Sequence, residues 1–447
     1  MELMTLQQIA KILNTTTTSS INPTGVCVDS RLIKNGNLFF ALKGDKTDGH
    51  QFLENVAKGG AVAAVVSKDY IGPHYNLPLI FVDDTLKALQ KLAKETLAKR
   101  RVRIIAVTGS IGKTTTKDFL NALLSVKYKV AASPGNSNSQ IGLPLAILNH
   151  TTGQEEILIF EMGMTHHGQI SQLVEIAPPE VALITNVALV HACNFDSLED
   201  IAKAKSEIFS SPQTRFGVIP FEIPNHGDLV HKFKACPKVS FSIQNANSDY
   251  YINPNIPNEV HIKLESSNAK IPSLKVPGKH NLYNLLAAAT VARYFGVSWE
   301  EISSVIPSLA LPERRLQLVN HKGISFLNDS YNASELSVKA ALQTLPAPTN
   351  NGKKIAVLGS MMELGKFSND CHSRVGEFAL DQVDQVYCLG DECQPIFNIF
   401  SKAGKPTGIF TKRADLVDHL KTILKPNDVV LLKGSRSKEL WKVLEEL

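Results

Sequence analysis

Apolar residues fall in short blocks along this chain, and their spacing alternates between continuous and helical. Residues 104–107 are unbroken apolar sequence, the pattern of a strand buried on both faces. Residues 114–125 follow, with Phe119, Leu120, Leu123 and Leu124 at helical spacing. Continuous blocks return at 157–160 and 181–184, again predicting buried strands. Before them, Leu6, Ile9, Ile12 and Leu13 make one helical face, and residues 37–42, 61–66 and 79–82 read as short strands. Beyond them, 354–358, 386–389, 408–410 and 429–432 predict strands with helices between, a second alternating unit. Residues 197–209 are amphipathic: Leu198, Ile201, Ile208 and Phe209 face inward, and Lys203 and Lys205 are expected in water. An apolar helix opens at Gly278 and runs to Phe295. Residues 244–258, rich in Asn, Ser and Pro, are expected to be the least ordered.

At 447 residues the chain is too long for one core and predicts about three domains. The hydrophobic fraction of 43% and charged fraction of 20% are those of an ordinary globular protein. A net charge of +5 with no dense basic block beyond residues 99–103 argues against nucleic acid and favours scattered cations for a small anion. The six cysteines are dispersed and never form Cys-x-x-Cys, which fits a reducing compartment. No signal sequence and no apolar run long enough to span a membrane is visible, so a cytoplasmic protein is expected.

Between the strand at 104–107 and its helix lies Thr108-Gly-Ser-Ile-Gly-Lys-Thr-Thr115. Gly109 and Gly112 permit a tight turn that aims backbone N–H groups at an anion on the helix N-terminus. Lys113 reaches terminal phosphates and the Thr114 hydroxyl suits a magnesium ion, so Gly109, Ser110, Gly112, Lys113, Thr114 and Thr115 are the expected ATP cradle. The loop is two residues shorter than the general phosphate-loop pattern, which would place its first glycine at Val107. In an open parallel sheet, ligands sit beyond the carboxyl ends of strands, which puts Glu161 and His191 near this loop. Glu161 suits magnesium; His191 alone reads as an ordinary loop histidine. The turn-rich segment 133–140 suits a polar ligand, and Ser30, Arg31 and Lys43, the last in the polar segment 43–50, suit phosphates. Asn281 and Asn284, three apart on one helical face, fit either a base edge or a helix cap. The fold expected is α/β with three domains: a small N-terminal α/β unit over 1–98, a central phosphate-loop ATPase-like parallel sheet over 99–310, and a C-terminal Rossmann-like unit over 311–447. The last lacks the glycine fingerprint of a dinucleotide site.

Taken together, the phosphate loop, Glu161-Met-Gly163, His191, Lys203-Ala-Lys-Ser-Glu-Ile-Phe209, His280-Asn-Leu-Tyr-Asn284, Asp329-Ser-Tyr-Asn332 and Lys433-Gly-Ser-Arg436 resemble the Mur ligases in order and spacing. These are ATP-dependent amide ligases of peptidoglycan precursor synthesis, and their shorter loop matches the one here. Asp29-Ser-Arg31, Asp48-Gly-His50 and Met362-Glu-Leu-Gly365 with His372 resemble the branch that joins D-alanyl-D-alanine to UDP-N-acetylmuramoyl-tripeptide. The resemblance implies a monomer using ATP and Mg2+ through an acyl phosphate. Lys113 would bind ATP phosphates, Thr114 and Glu161 a first magnesium, and His191 a second. Lys205, chosen over Lys203 by the Lys-x-x-Ile-Phe spacing, would be carbamylated and bind that second ion. Asn284 would contact adenine, and Arg315 and Asp329 would approach ATP. Ser30, Arg31, Asn136 and Asn138 would contact the UDP-sugar. In Pro312-Glu-Arg-Arg315, where relatives usually have Pro-Gly-Arg, both Arg314 and Arg315 stand as candidates. Gly359-Ser-Met-Met362 replaces a usual Gly-Asp-Met in the unit expected to hold the dipeptide. A sister ligase adding a diamino acid, a folylpolyglutamate synthetase and a nucleotide switch without ligase activity are the alternatives.

Overall fold

The computed structural model describes residues 4–44, 47–224, 227, 236–263 and 266–447; Asp45 and Lys46, within the polar segment 43–50, lie outside them. Among the described residues the strands form sheets of four, nine and six, one in each expected domain. The N-terminal sheet is all parallel, with Gly25–Cys27, Asn37–Phe40, Ala63–Ser67 and Leu79–Val82 side by side in chain order. Phe39 and Phe40 are both fully buried and belong to different clusters, as expected for a strand covered on both faces. Each such side chain contributes about 1.5–3 kcal/mol by leaving water. The helix Thr85–Ala98, capped by the Asp84 side chain, packs its Leu89, Leu92 and Leu97 stripe between this sheet and the next unit. Asn149 of the central unit adds a further tie, accepting from Val26 N and donating to Val26 O, both at 2.8 Å.

In the central sheet, Arg103–Thr108 lies between Ile157–Glu161 and Val181–Ile184, parallel to both. The chain leaves that strand toward one edge, returns beside it, and then continues to the other side. The reversal opens a crevice at the carboxyl end of Arg103–Thr108, where the phosphate loop sits. The helices Lys113–Leu124 and Lys279–Tyr294 pack together over one face. At the far edge Glu259–Ile262 runs antiparallel to Tyr250–Ile252 and Ser267–Lys270. Residues 244–258 therefore include the strand Tyr250–Ile252, against the expectation of least order: Tyr250 and Ile252 bury into the core while polar neighbours face out, so composition masked the alternation.

The C-terminal sheet runs in the order Gln317–His321, Ile324–Asn328, Val429–Lys433, Lys354–Gly359, Gln385–Leu389 and Thr407–Phe410. Only its first strand is antiparallel. The Gln317–His321 hairpin strand escaped the sequence pattern because it is an edge strand with mostly exposed residues. Among the described residues no helix is long and apolar enough to cross a membrane.

Candidate active site

The phosphate loop is seated on the segment that follows Val181–Ile184. Ser110 N donates to Asn186 O at 2.9 Å, the Ser110 hydroxyl donates to Ala188 O at 2.9 Å, and Thr185 Oγ1 donates to Ile111 O at 2.6 Å. That segment leads directly to His191, so loop and histidine are placed by one piece of backbone. Gly112 holds φ 83°, and a Cβ there would collide with Asn284 Oδ1, which presses on the loop from the helix Lys279–Tyr294. Asn284 is 6% exposed and donates to Asn281 Oδ1 at 3.2 Å, while Asn281 Nδ2 donates back to Pro277 O at 2.6 Å. Asn281 thus ties the helix start to the turn before it without capping the helix, and Asn284 forms the loop wall.

Thr114 joins the central unit to the C-terminal one. Its hydroxyl donates to Glu161 Oε2 at 2.9 Å and accepts from Arg315 Nη2 at 3.3 Å, and Asn138 Nδ2 takes the other Glu161 oxygen at 2.7 Å. Thr115 lies buried on the same first turn. Lys113 folds back to Gly109 O at 2.8 Å; burial lowers its pKa, Glu161 opposes the shift, and the Arg315 cation adds to it. Arg315 Nε is buried without a hydrogen-bond partner. A cationic cluster with a spare guanidinium donor is built for an anion. Arg314, at φ 59°, turns the other way, its guanidinium 4.4 Å from the Trp441 ring. A left-handed residue is where glycine sits without strain, and Arg314 holds that place while Arg315 turns to Thr114.

Lys205 is 4% exposed, which overturns the expectation that it lies in water; Lys203 is exposed as expected. Burial first, then the Lys113 cation, hold the Lys205 pKa well below the usual lysine range. The same two lysines act on His191, whose pKa is lowered chiefly by burial against the pull of Glu363. Lys113 thus stands within electrostatic reach of Glu161, Arg315, Lys205 and His191 and is the centre of one charged cluster. His191 Nδ1 meets the Glu363 carboxylate, and Cys193 N donates to Glu363 O at 3.0 Å. The loop carrying Glu363 is braced from below: Met361 N donates to His372 Nε2 at 3.0 Å, His372 Nδ1 donates to Ser368 O at 2.8 Å, and Met362 N donates to Ser435 Oγ at 2.9 Å.

Asp329 accepts from Lys433 Nζ at 2.5 Å and from Leu316 N at 3.2 Å, so it fixes the backbone beside Arg315. Ser30 and Arg31 lie in the N-terminal unit, outside the charged cluster. Arg31 is exposed and forks onto Asp29 through Nε and Nη2 at 2.9 and 2.6 Å, drawing the Asp29 pKa down to about 2. Asn136 stands exposed on the loop after Ser133, and Asn138 is turned inward to Glu161. Sequence reasoning missed Lys117 and the roles of Glu363 and Lys433. Lys117 carried a signal in its position one turn beyond Lys113, and Glu363 and Lys433 stood inside quoted motifs without an assigned role. Among the described residues no group of three or more His, Cys, Asp and Glu forms a metal cluster. Oxygen donors at this loop come instead from Thr114 and Glu161.

Three family models match the chain in succession: "Mur ligase family, catalytic domain" over 22–96, "Mur ligase middle domain" over 107–292, and "Mur ligase, glutamate ligase domain" over 314–436. The UDP-N-acetylmuramoyl-tripeptide--D-alanyl-D-alanine ligase of Bacillus subtilis (strain 168) is 35% identical over 435 residues, covering 95% of this chain and 93% of that protein. Among solved structures, MurF from Acinetobacter baumannii superposes with a TM-score of 0.85 at 27% identity, covering 100% and 99% of the two chains. The MurF ligase of Thermotoga maritima in complex with ADP gives 0.76 at 30% identity, covering 94% and 96%.

Proposed function

The chain belongs to the Mur ligase family, and from that premise we propose that it is an ATP-dependent ligase joining D-alanyl-D-alanine to UDP-N-acetylmuramoyl-tripeptide in peptidoglycan precursor synthesis. The observation that carries the reading is the Thr114 hydroxyl, shared at one point by Glu161 and by Arg315 from the C-terminal unit. A phosphate loop, a metal-binding carboxylate and a cation from a separate domain meet there, as phosphoryl transfer to a carboxylate requires. The enzyme works in the cytoplasm as a monomer.

The tripeptide carboxylate attacks the γ-phosphorus of ATP, the bond to the bridging oxygen breaks, and ADP leaves. The amine of D-alanyl-D-alanine then attacks the acyl phosphate, and phosphate leaves as the amide forms. Lys113 and Arg315 neutralise the transferring phosphoryl group, and Gly109, Ser110, Gly112 and Thr115 shape the cradle around it. Asn284 lines the adenine side. Thr114 and Glu161 would hold a first magnesium ion and His191 with a carbamylated Lys205 a second, and such ions would supply positive charge against the repulsion between the two anions. Burial and Lys113 favour the neutral amine of Lys205; that amine adds to carbon dioxide and sheds a proton, so a cation becomes an anionic ligand. Asp329 sets Arg315 through the Leu316 amide. Ser30, Arg31, Asn136 and Asn138 line the path of the UDP-sugar. The C-terminal unit, already touching Thr114 through Arg315 and His191 through Glu363, keeps water from the acyl phosphate.

Purified protein is incubated with ATP, UDP-N-acetylmuramoyl-tripeptide and either D-alanyl-D-alanine or a single diamino acid. Phosphate release with the dipeptide supports the reading. Release with the amino acid alone assigns the chain to a sister activity, and ATP turnover indifferent to both leaves a nucleotide-binding protein without ligase chemistry.

A further inference from the structure

We propose that Lys117 is a positioning residue for the UDP-sugar substrate: a buried ammonium that fastens the tip of the 133–140 loop, and with it Asn136, to the phosphate-loop helix. The substrate half of this inference rests on the function proposed above.

Lys117 lies one turn beyond Lys113 on the helix Lys113–Leu124, and its side chain is 3% exposed. Its ammonium donates to Ser133 O at 2.7 Å and Gly135 O at 3.4 Å and is ion-paired with Asp118 Oδ1 at 3.1 Å. Burying an ammonium opposes folding, and a buried ion pair is weak evidence for stability. What this side chain holds is the better account of it.

The loop is attached at both ends beside Glu161. At its start Ser133 N donates to Ile159 O at 2.9 Å and Ser133 Oγ accepts from Glu161 N at 3.2 Å. At its end Asn138 Nδ2 donates to Glu161 Oε1 at 2.7 Å and Gly163 N donates to Asn138 O at 2.7 Å. Between these points, residues 134–137 bond mainly to themselves, as Ser137 N does to Pro134 O at 3.1 Å. Among the described residues, the Lys117 bond to Gly135 is the hydrogen bond that reaches 134–137 from outside the loop. A charged donor makes stronger bonds to carbonyls than a neutral one, so a single ammonium fixes a tip that has no apolar anchor. Asn136, exposed on that tip, is placed as a result.

Lys117→Met is compared with the wild-type protein by steady-state kinetics and by hydrogen exchange of residues 134–138. Loss of a charge-assisted bond raises KM for the UDP-substrate by about tenfold or more. KM for ATP stays within about twofold because the nucleotide contacts are untouched, and any fall in Tm is read separately from the rise in KM. Exchange of the tip amides accelerates by a similar factor. Lys117→Gln, which keeps a donor, falls between the two proteins and replaces Lys117→Met should that variant fail to fold. Unmoved KM or unmoved exchange overturns the proposal, and so does a fall in Tm with KM unchanged, which would make Lys117 structural only. A wild-type protein that does not ligate would fell the reading of the reaction instead; the exchange measurement needs no substrate and still decides whether Lys117 holds the loop.

Discussion

Glu363 reaches across the junction of the central and C-terminal units to set its carboxylate on Nδ1 of His191, and both residues hold left-handed backbone, φ 64° and 56°. Two such residues outside glycine cost about 1–3 kcal/mol each, and the surrounding bonds to Cys193 and Ser435 over-determine them. The pairing fixes which imidazole nitrogen faces the charged cluster.

Glu363→Gln keeps the shape and removes the charge. The expected result is kcat about tenfold lower with KM for ATP little changed, the scale found when a partner orienting a metal ligand is lost. Unaltered kcat would leave the contact a domain latch and nothing more.

Lys205→Ala removes the buried amine. Ligation falls by roughly 100-fold or more, as for loss of one charge-stabilising group in a closed site. Bicarbonate restores part of it by supplying a carbamate surrogate in the vacated space. Full activity in the variant would take Lys205 out of the site.

Arg315 and Arg314 separate cleanly. Arg315→Met loses the Thr114 contact and lowers kcat by about 10³-fold, in the range for a transition-state arginine. Arg314→Met leaves kcat intact and costs about 0.5–1 kcal/mol, read as a lower Tm, from the lost stacking on Trp441. The reverse pattern would move the catalytic role to Arg314.

His280, beside the Asp329 and Lys433 pair, has its pKa pushed down to about 4, chiefly by burial; Asp329 opposes the shift and Lys433 adds to it. A depressed folded-state pKa means that the unfolded chain takes up the proton first as pH falls. Stability present above about pH 6.5 is therefore lost progressively toward pH 4. Thermal melts across that range show a shallower slope for His280→Asn than for the wild type. Equal slopes would place the pH dependence elsewhere.

The buried strands and the phosphate loop were legible because each is written in adjacent residues: an unbroken apolar run, then Gly109, Gly112, Lys113 and Thr114 at fixed offsets. Strand order was not written there: Arg103–Thr108 pairs with Ile157–Glu161 and Val181–Ile184 rather than with the next strand in the chain, Val130–Ala132. Lys205 was not legible from its own neighbours. A lysine on an amphipathic helix reads as solvated, and only the packing of that helix against the central sheet buries it beside Lys113. Likewise, the choice between Arg314 and Arg315 needed φ 59° at Arg314, and the link from Lys117 to Gly135 needed the loop's path through space. Local sequence determined which elements form and which carry phosphate chemistry. Tertiary structure decided which charges meet, because the pairs that matter, Thr114 with Arg315 and His191 with Glu363, come from domains whose approach depends on packing summed over the whole chain.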